Sequence, residues 1–199
     1  MSVQADDAQH PTAPATPPAI VTTRTNCHLI AFFSQYSGFQ YDPSQSVVSE
    51  FKRLKQTAEW RRGHINRNKG YKLYNLALVL QFNETYGIDG NDLASWQNLC
   101  RVVRVQGVPG TVGACKKAIK KIHVNLVDLV DQPNTRVTVK RFKNRFTLSE
   151  YSVAEQKIFP KNWAKAGGIL KHLLRQILFY TPPSPQPGQA QARAQAQGA

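Results

Sequence analysis

The chain predicts an all-α domain: a compact orthogonal bundle of six to seven helices with one basic loop or short hairpin and disordered termini. Three observations carry this. Apolar residues recur at helical spacing in most segments between Leu29 and Ile177, glycines, prolines and N-capping residues punctuate those segments, and both ends lack apolar periodicity. The 199 residues suit one domain, at 26–180, between tails at 1–25 and 181–199. The first tail holds Pro11, Pro14, Pro17 and Pro18 among Ala, Thr and Gln, and the second is rich in Pro, Gln and Ala.

Leu29, Ile30, Phe32, Phe33 and Tyr36 make a short aromatic helix ending before Gly38, and Phe39, Tyr41 and Pro43 an extended link. Val47, Phe51, Leu54 and Ala58 repeat at helical spacing, with Ser44 or Ser46 as N-cap and Trp60 at the close. Arg61 to Gly70, with two glycines among Arg, Asn and Lys, reads as a loop. In the long helix that follows, Tyr71, Tyr74, Leu78 and Phe82 line one face, Leu76, Ala77 and Leu80 widen it, and Gly87 takes the C′ position. Asn91 or Asp92 caps the next helix, where Leu93, Trp96, Leu99, Cys100 and Val103 share a face. Gly107, Pro109 and Gly110 then break the chain.

From Thr111 to Asp131 the pattern fits one helix of about 30 Å. Val112, Cys115, Ile119, Ile122, Leu126, Leu129 and Val130 fall within an arc of about 100°. Such a helix carries Lys116, Lys117, Lys120 and Lys121 in its N-terminal half and Asp128 and Asp131 near its C-terminus. Both placements oppose the macrodipole, by roughly 0.3–1 kcal/mol per charge near an end. Either the helix breaks near His123, or positive potential is retained there for a partner. Gln132 to Phe146 departs from the helical pattern: Val137 and Val139 alternate with Thr138 and Lys140, so it reads as a basic surface loop or a short hairpin. Thr147-Leu148-Ser149-Glu150 matches a capping box that opens a helix ending near Phe159-Pro160. Ala166, Ile169, Leu170, Leu173, Leu174 and Ile177 give the last helix a strongly apolar face.

Several strings occur together: Phe82-Asn83 with Tyr86-Gly87, Ser95-Trp96-Gln97-Asn98-Leu99-Cys100, His123-Val124-Asn125-Leu126-Val127-Asp128-Leu129, and Phe159-Pro160 followed by Ala166-Gly167-Gly168. As a set they resemble a domain found in many fungal hypothetical proteins, over roughly Leu29 to Ile177. The resemblance implies one intact domain and a fungal source; it implies no activity and no functional residue.

Charge narrows the partner class. There are 26 Lys and Arg against 12 Asp and Glu, a formal charge of +14. Only Arg24 and Arg193 among the basic residues lie outside Ser46–Tyr180, against Asp6, Asp7 and Asp42, which leaves 24 basic and 9 acidic residues inside it. A body so charged repels itself unless something anionic is near, so a polyanion or an acidic protein surface is the expected partner.

Three clusters hold the excess. The first runs through Lys52, Arg53, Lys55, Arg61, Arg62, Arg67, Lys69 and Lys72. The second is Lys116, Lys117, Lys120 and Lys121. The third is Arg136, Lys140, Arg141, Lys143 and Arg145, interleaved with Phe142 and Phe146, a composition that binds phosphates and stacks a base unless both phenylalanines anchor the loop. The expectation is a non-enzymatic basic module contacting nucleic acid, DNA or RNA, mostly through phosphates. The alternative is a domain docking an acidic protein, and anionic lipid is a weaker third.

Other chemistry finds little support. Cys27, Cys100 and Cys115 are an odd number without a CxxC pair, which points to a reducing, intracellular compartment, nuclear or cytoplasmic. Their spacing to the histidines does not make a zinc site, and no cofactor is expected. Asp128 and Asp131 read as surface charge. Gly107-Val108-Pro109-Gly110 with Lys116-Lys117 lacks the P-loop order. Trp60, Trp96 and Trp163 read as core. Neither a signal peptide nor an apolar run long enough for a membrane span is expected.

Overall fold

The computed structural model describes residues 26–63, 65–160 and 168–178, with side chains through 174 in the last stretch. The two expected tails, Trp163, Ala166 and the side chain of Ile177 lie outside the described residues. Among these residues nine helices and one two-stranded ladder form an all-α bundle: α1 (Cys27–Phe33), α2 (Val47–Gln56), α3 (Ala58–Arg62), α4 (Arg67–Tyr86), α5 (Leu93–Val102), α6 (Val112–Lys120), β1 (His123–Val124), α7 (Leu126–Thr135), β2 (Arg141–Phe142), α8 (Arg145–Ala154) and α9 (Gly168–Leu178).

α4 is the central helix, packed against α1, α5, α7 and α9. Its contacts go round most of its circumference, which is why Tyr74, Ala77, Leu78, Val79, Gln81, Phe82, Thr85 and Tyr86 are all buried. Its N-terminal half meets an aromatic layer from α1, α2 and α3. There Phe51 stacks on Tyr74 with ring centroids 3.9 Å apart, and Phe32, Tyr36 and Trp60 close around them. The C-terminal half meets α5, α7 and α9. Tyr86 Oη donates to the Leu129 carbonyl (2.8 Å), and Trp96 Nε1 donates to that of Gly90 (2.9 Å).

Most helix starts follow the expected chemistry. Ser46 caps α2, Asp92 caps α5 and Thr111 caps α6. Gly87 sits past α4 at φ 87°, where a Cβ would lie 2.5 Å from Ser95 Oγ.

Three expectations are corrected, and one open alternative is decided. The stretch from Thr111 to Asp131 breaks at His123 into two helices separated by β1, with Lys121 as the α6 C-cap and the buried Asn125 capping α7. Asn125 Oδ1 accepts from the Val127 amide (2.8 Å), while its Nδ2 donates to Ser152 Oγ and to the Lys157 carbonyl. The break reverses the dipole account. Lys117 and Lys120 fall in the last turn of α6 and Asp128 in the first turn of α7, both favourable. Arg61 to Gly70 is not a loop, because α3 runs to Arg62 and Asn66 caps α4 from Arg67. Gly70 is inside α4, where a Cβ would come within 2.8 Å of the Trp60 ring.

Asn144, not Thr147, caps the next helix. Its Oδ1 accepts from the Thr147 amide at 2.9 Å, which places Thr147 inside α8, and α8 ends at Ala154, short of Phe159. The departure from helix after Gln132 is smaller than expected. α7 continues through Pro133 to Thr135, and the strand is Arg141–Phe142 rather than Val137 to Val139.

Candidate functional site

The element that gathers cations is a wide hairpin whose strands β1 and β2 are joined through α7 and not by a tight turn within Gln132–Phe146. β1 and β2 pair antiparallel, His123 opposite Phe142 and Val124 opposite Arg141. Beyond one end of this ladder the continuing chains are Lys121–Ile122 and Lys143–Asn144, on strands roughly 4.8 Å apart. The register thereby brings the end of the second cluster, Lys120 and Lys121, to the same end of the ladder as Lys143 and Arg145, with Arg141 on β2 itself. All of these are exposed except Arg145, which is half-buried. Burial, and then the Arg145 charge, hold the His123 imidazolium below its ordinary pKa, which puts the guanidinium within electrostatic reach of β1.

Two arginines that charge clustering overlooked join this edge. Arg104 follows α5 at φ 57°, the C′ position where glycine is usual, and Val105 N–H closes the turn onto the Cys100 carbonyl (2.8 Å). Its guanidinium donates to the Val139 carbonyl (3.3 Å), and its own carbonyl accepts from Arg141 Nη1 (3.2 Å). This reciprocal clamp ties the end of α5 to the hairpin and brings the turn that carries the exposed Arg101 alongside. The available signal was Arg101 and Arg104 at i,i+3 across a helix end.

Not every expected residue belongs to this edge. Lys117 projects from α6 opposite the buried Cys115 and Ile119, whereas Lys116 is half-buried with Nζ 5.5 Å from the Trp96 ring centre. Lys140 lies over the rings of Phe142 and Tyr151, 5.3 Å from each. Arg136 caps the far end of α7 at φ 56°, about 15 Å along the helix from the hairpin. The two phenylalanines part company: Phe142 is half-buried against Tyr151 (centroids 4.9 Å), and Phe146 is 51 % exposed.

The first cluster is a separate region on α2, α3 and the start of α4. Arg53 pairs with the buried Glu50 (2.6 Å), donates to the Gln40 carbonyl and lies 4.2 Å from the Phe39 ring centre. Lys55 covers Phe51. Arg61 donates to the Gln56 carbonyl and Arg67 to that of Arg61, so both brace turns. Arg62 is exposed on the rim of an open cavity of about 610 Å³, beside Glu59, whose Oε2 accepts from the Gly38 amide.

Among the described residues the ion pairs are Arg53–Glu50 and Lys157–Asp128 (2.7 Å). No cation of the hairpin edge is in either. Asp128 and Asp131 are not surface charge as expected. Asp128 holds Lys157, and Asp131 is 8 % exposed on the inner side of α7, where Oδ1 accepts from Val47 N–H (2.9 Å). Burial pushes the Asp131 carboxyl up to about 7. Cys100 and Cys115 are buried, and burial followed by Cys115 pushes the Cys100 thiol up to about 12.

The strings that carry the resemblance occupy architectural positions: Phe82 against Phe159, Gly87 against Ser95, Asn125 and Asp128 in the α7–α8 joint, and Gly168 against the backbone of Ile88. Among the described residues no helix is long and apolar enough to cross a membrane. Comparison with known protein families, with curated proteins and with solved structures finds no match.

Proposed function

We propose that this domain is a non-enzymatic nucleic-acid-binding module whose contact surface is the hairpin edge. Lys120, Lys121, Arg141, Lys143 and Arg145 supply phosphate contacts, and Arg104 fixes the edge in place. One observation supports this above the others: cations from two separate stretches of sequence meet along one short ladder, and no carboxylate among the described residues pairs with any of them. Leaving so many like charges together costs stability through self-repulsion, which bound phosphates relieve with release of counterions. Contacts of this kind give affinity with little choice of sequence.

The test is a titration of labelled DNA and RNA over a range of salt, alongside the charge reversals Arg141→Glu, Lys143→Glu and Arg145→Glu in one chain. Affinity is expected to fall steeply with salt for the wild type. The reversed chain is expected to bind weakly, with a slope shallower by about one for each phosphate it no longer neutralises. Undetectable binding at low salt, together with capture of an acidic protein through the same residues, would transfer the edge to the protein-docking alternative.

A further inference from the structure

We infer that the hairpin edge takes single-stranded nucleic acid, with an unpaired base laid on Phe146; this rests on the nucleic-acid reading above. The two aromatic residues of the edge do different things. Phe142 faces α8, where Tyr151 covers it and Lys140 closes over both rings. Phe146 stands in the first turn of α8, two residues from Leu148 and therefore roughly 200° around the helix from the side chain that enters the core. Among the described residues no ring or cation stacks on Phe146, and it is flanked by Lys143 and Arg145.

The surroundings assign the two sides of a bound strand. Seven residues on, Val153 lies on nearly the same side of α8 and is 66 % exposed, and Glu150 lies between them, also exposed. Phosphates are repelled from that strip by Glu150 and gain nothing from Phe146 or Val153. They are drawn to Arg141 on β2, to Lys121 and Lys143 at the end of the ladder and to Arg145 at the first position of α8. A strand with its backbone along the hairpin and its bases toward α8 satisfies both sides. A duplex does not, because its bases are stacked inside and it offers α8 only further phosphates. Stacking on an aromatic face also tolerates any base, in keeping with a surface that shows little means of reading sequence.

The full chain is titrated with oligothymidine, with the same oligonucleotide made abasic, and with a duplex of equal length, each at two salt concentrations. The unmodified single strand is expected to bind roughly tenfold more tightly than the abasic one. Phe146→Ala is expected to remove that difference and leave the salt slope unchanged, because every phosphate keeps its cation. Phe146→Trp is expected to retain it. Equal binding of all three ligands, insensitive to Phe146→Ala but abolished by reversing Arg141, Lys143 and Arg145, overturns the single-strand inference and leaves the nucleic-acid reading standing. Absence of binding to every ligand overturns both.

Discussion

The region around α2 and α3 and the edge around the hairpin have nearly the same composition, several Lys and Arg with aromatic residues among them, yet their cations do different work. In the first region Arg53 neutralises a carboxylate that is 3 % exposed, Lys55 covers a core ring, and Arg61 and Arg67 brace turns. Along the hairpin the only arginine contacts to backbone are the Arg104 and Arg141 pair, and the remaining cations reach no acid among the described residues. Density of charge in a sequence therefore measures potential, not availability. Availability depends on whether a carboxylate, a ring or a helix end lies within reach after folding.

The largest expected effect concerns the carboxylate beneath the first region. Asp131 receives the Val47 amide at the start of α2, close to Tyr41 and Tyr74, with Glu50 and Asp42 adding negative charge around Tyr41; Lys157 from the turn after α8 and Asp128 from α7 act on Asp131. Its folded pKa, about 7, lies above the unfolded value of about 3.9, so the folded chain holds the proton more firmly. The associated stability is full below about pH 4 and lost as pH rises through 7, by on the order of 4 kcal/mol. Urea denaturation across that range is expected to show wild type and Asp131→Asn converging near pH 4 and the variant more stable at pH 8. Parallel curves would mean that Asp131 is ordinary.

Matched charge reversals sharpen the contrast between regions. Reversing Arg141, Lys143 and Arg145 together is expected to weaken nucleic-acid binding by about 30-fold, or roughly 2 kcal/mol, while reversing Lys52, Arg62 and Lys69 weakens it only a few-fold. Equal losses would merge the two regions into one field. Stability is expected to reverse the order. Arg53→Ala strips the buried Glu50 of its cation and is expected to cost about 1.5 kcal/mol in thermal or urea unfolding, because Arg53 itself is half-exposed and the Asp42 amide still serves Glu50. Smallest of all, Lys143→Ala is expected to move stability by less than about 0.5 kcal/mol. A larger change there would reveal a structural role on the hairpin.

The fold class, most of the helices and several of their caps were legible from local pattern alone. Those depend on local spacing and on capping side chains such as Ser46, Asp92 and Thr111 that act within three residues. Local pattern also exposed the problem in Thr111 to Asp131: lysines near the start and aspartates near the end of one helix are electrostatically wrong, and the break at β1 removes the conflict. The break falls at His123, where the charge pattern allowed it, and tertiary contacts hold it there: Asn125 caps α7 while bonding Ser152 and Lys157 from α8 and the turn after it. Tertiary structure likewise buried Asp131 against Val47 and brought Lys121 and Lys143 to one end of the ladder. Both outcomes pair residues far apart along the chain, and the cost of closing such loops is recovered through contacts that periodicity does not encode.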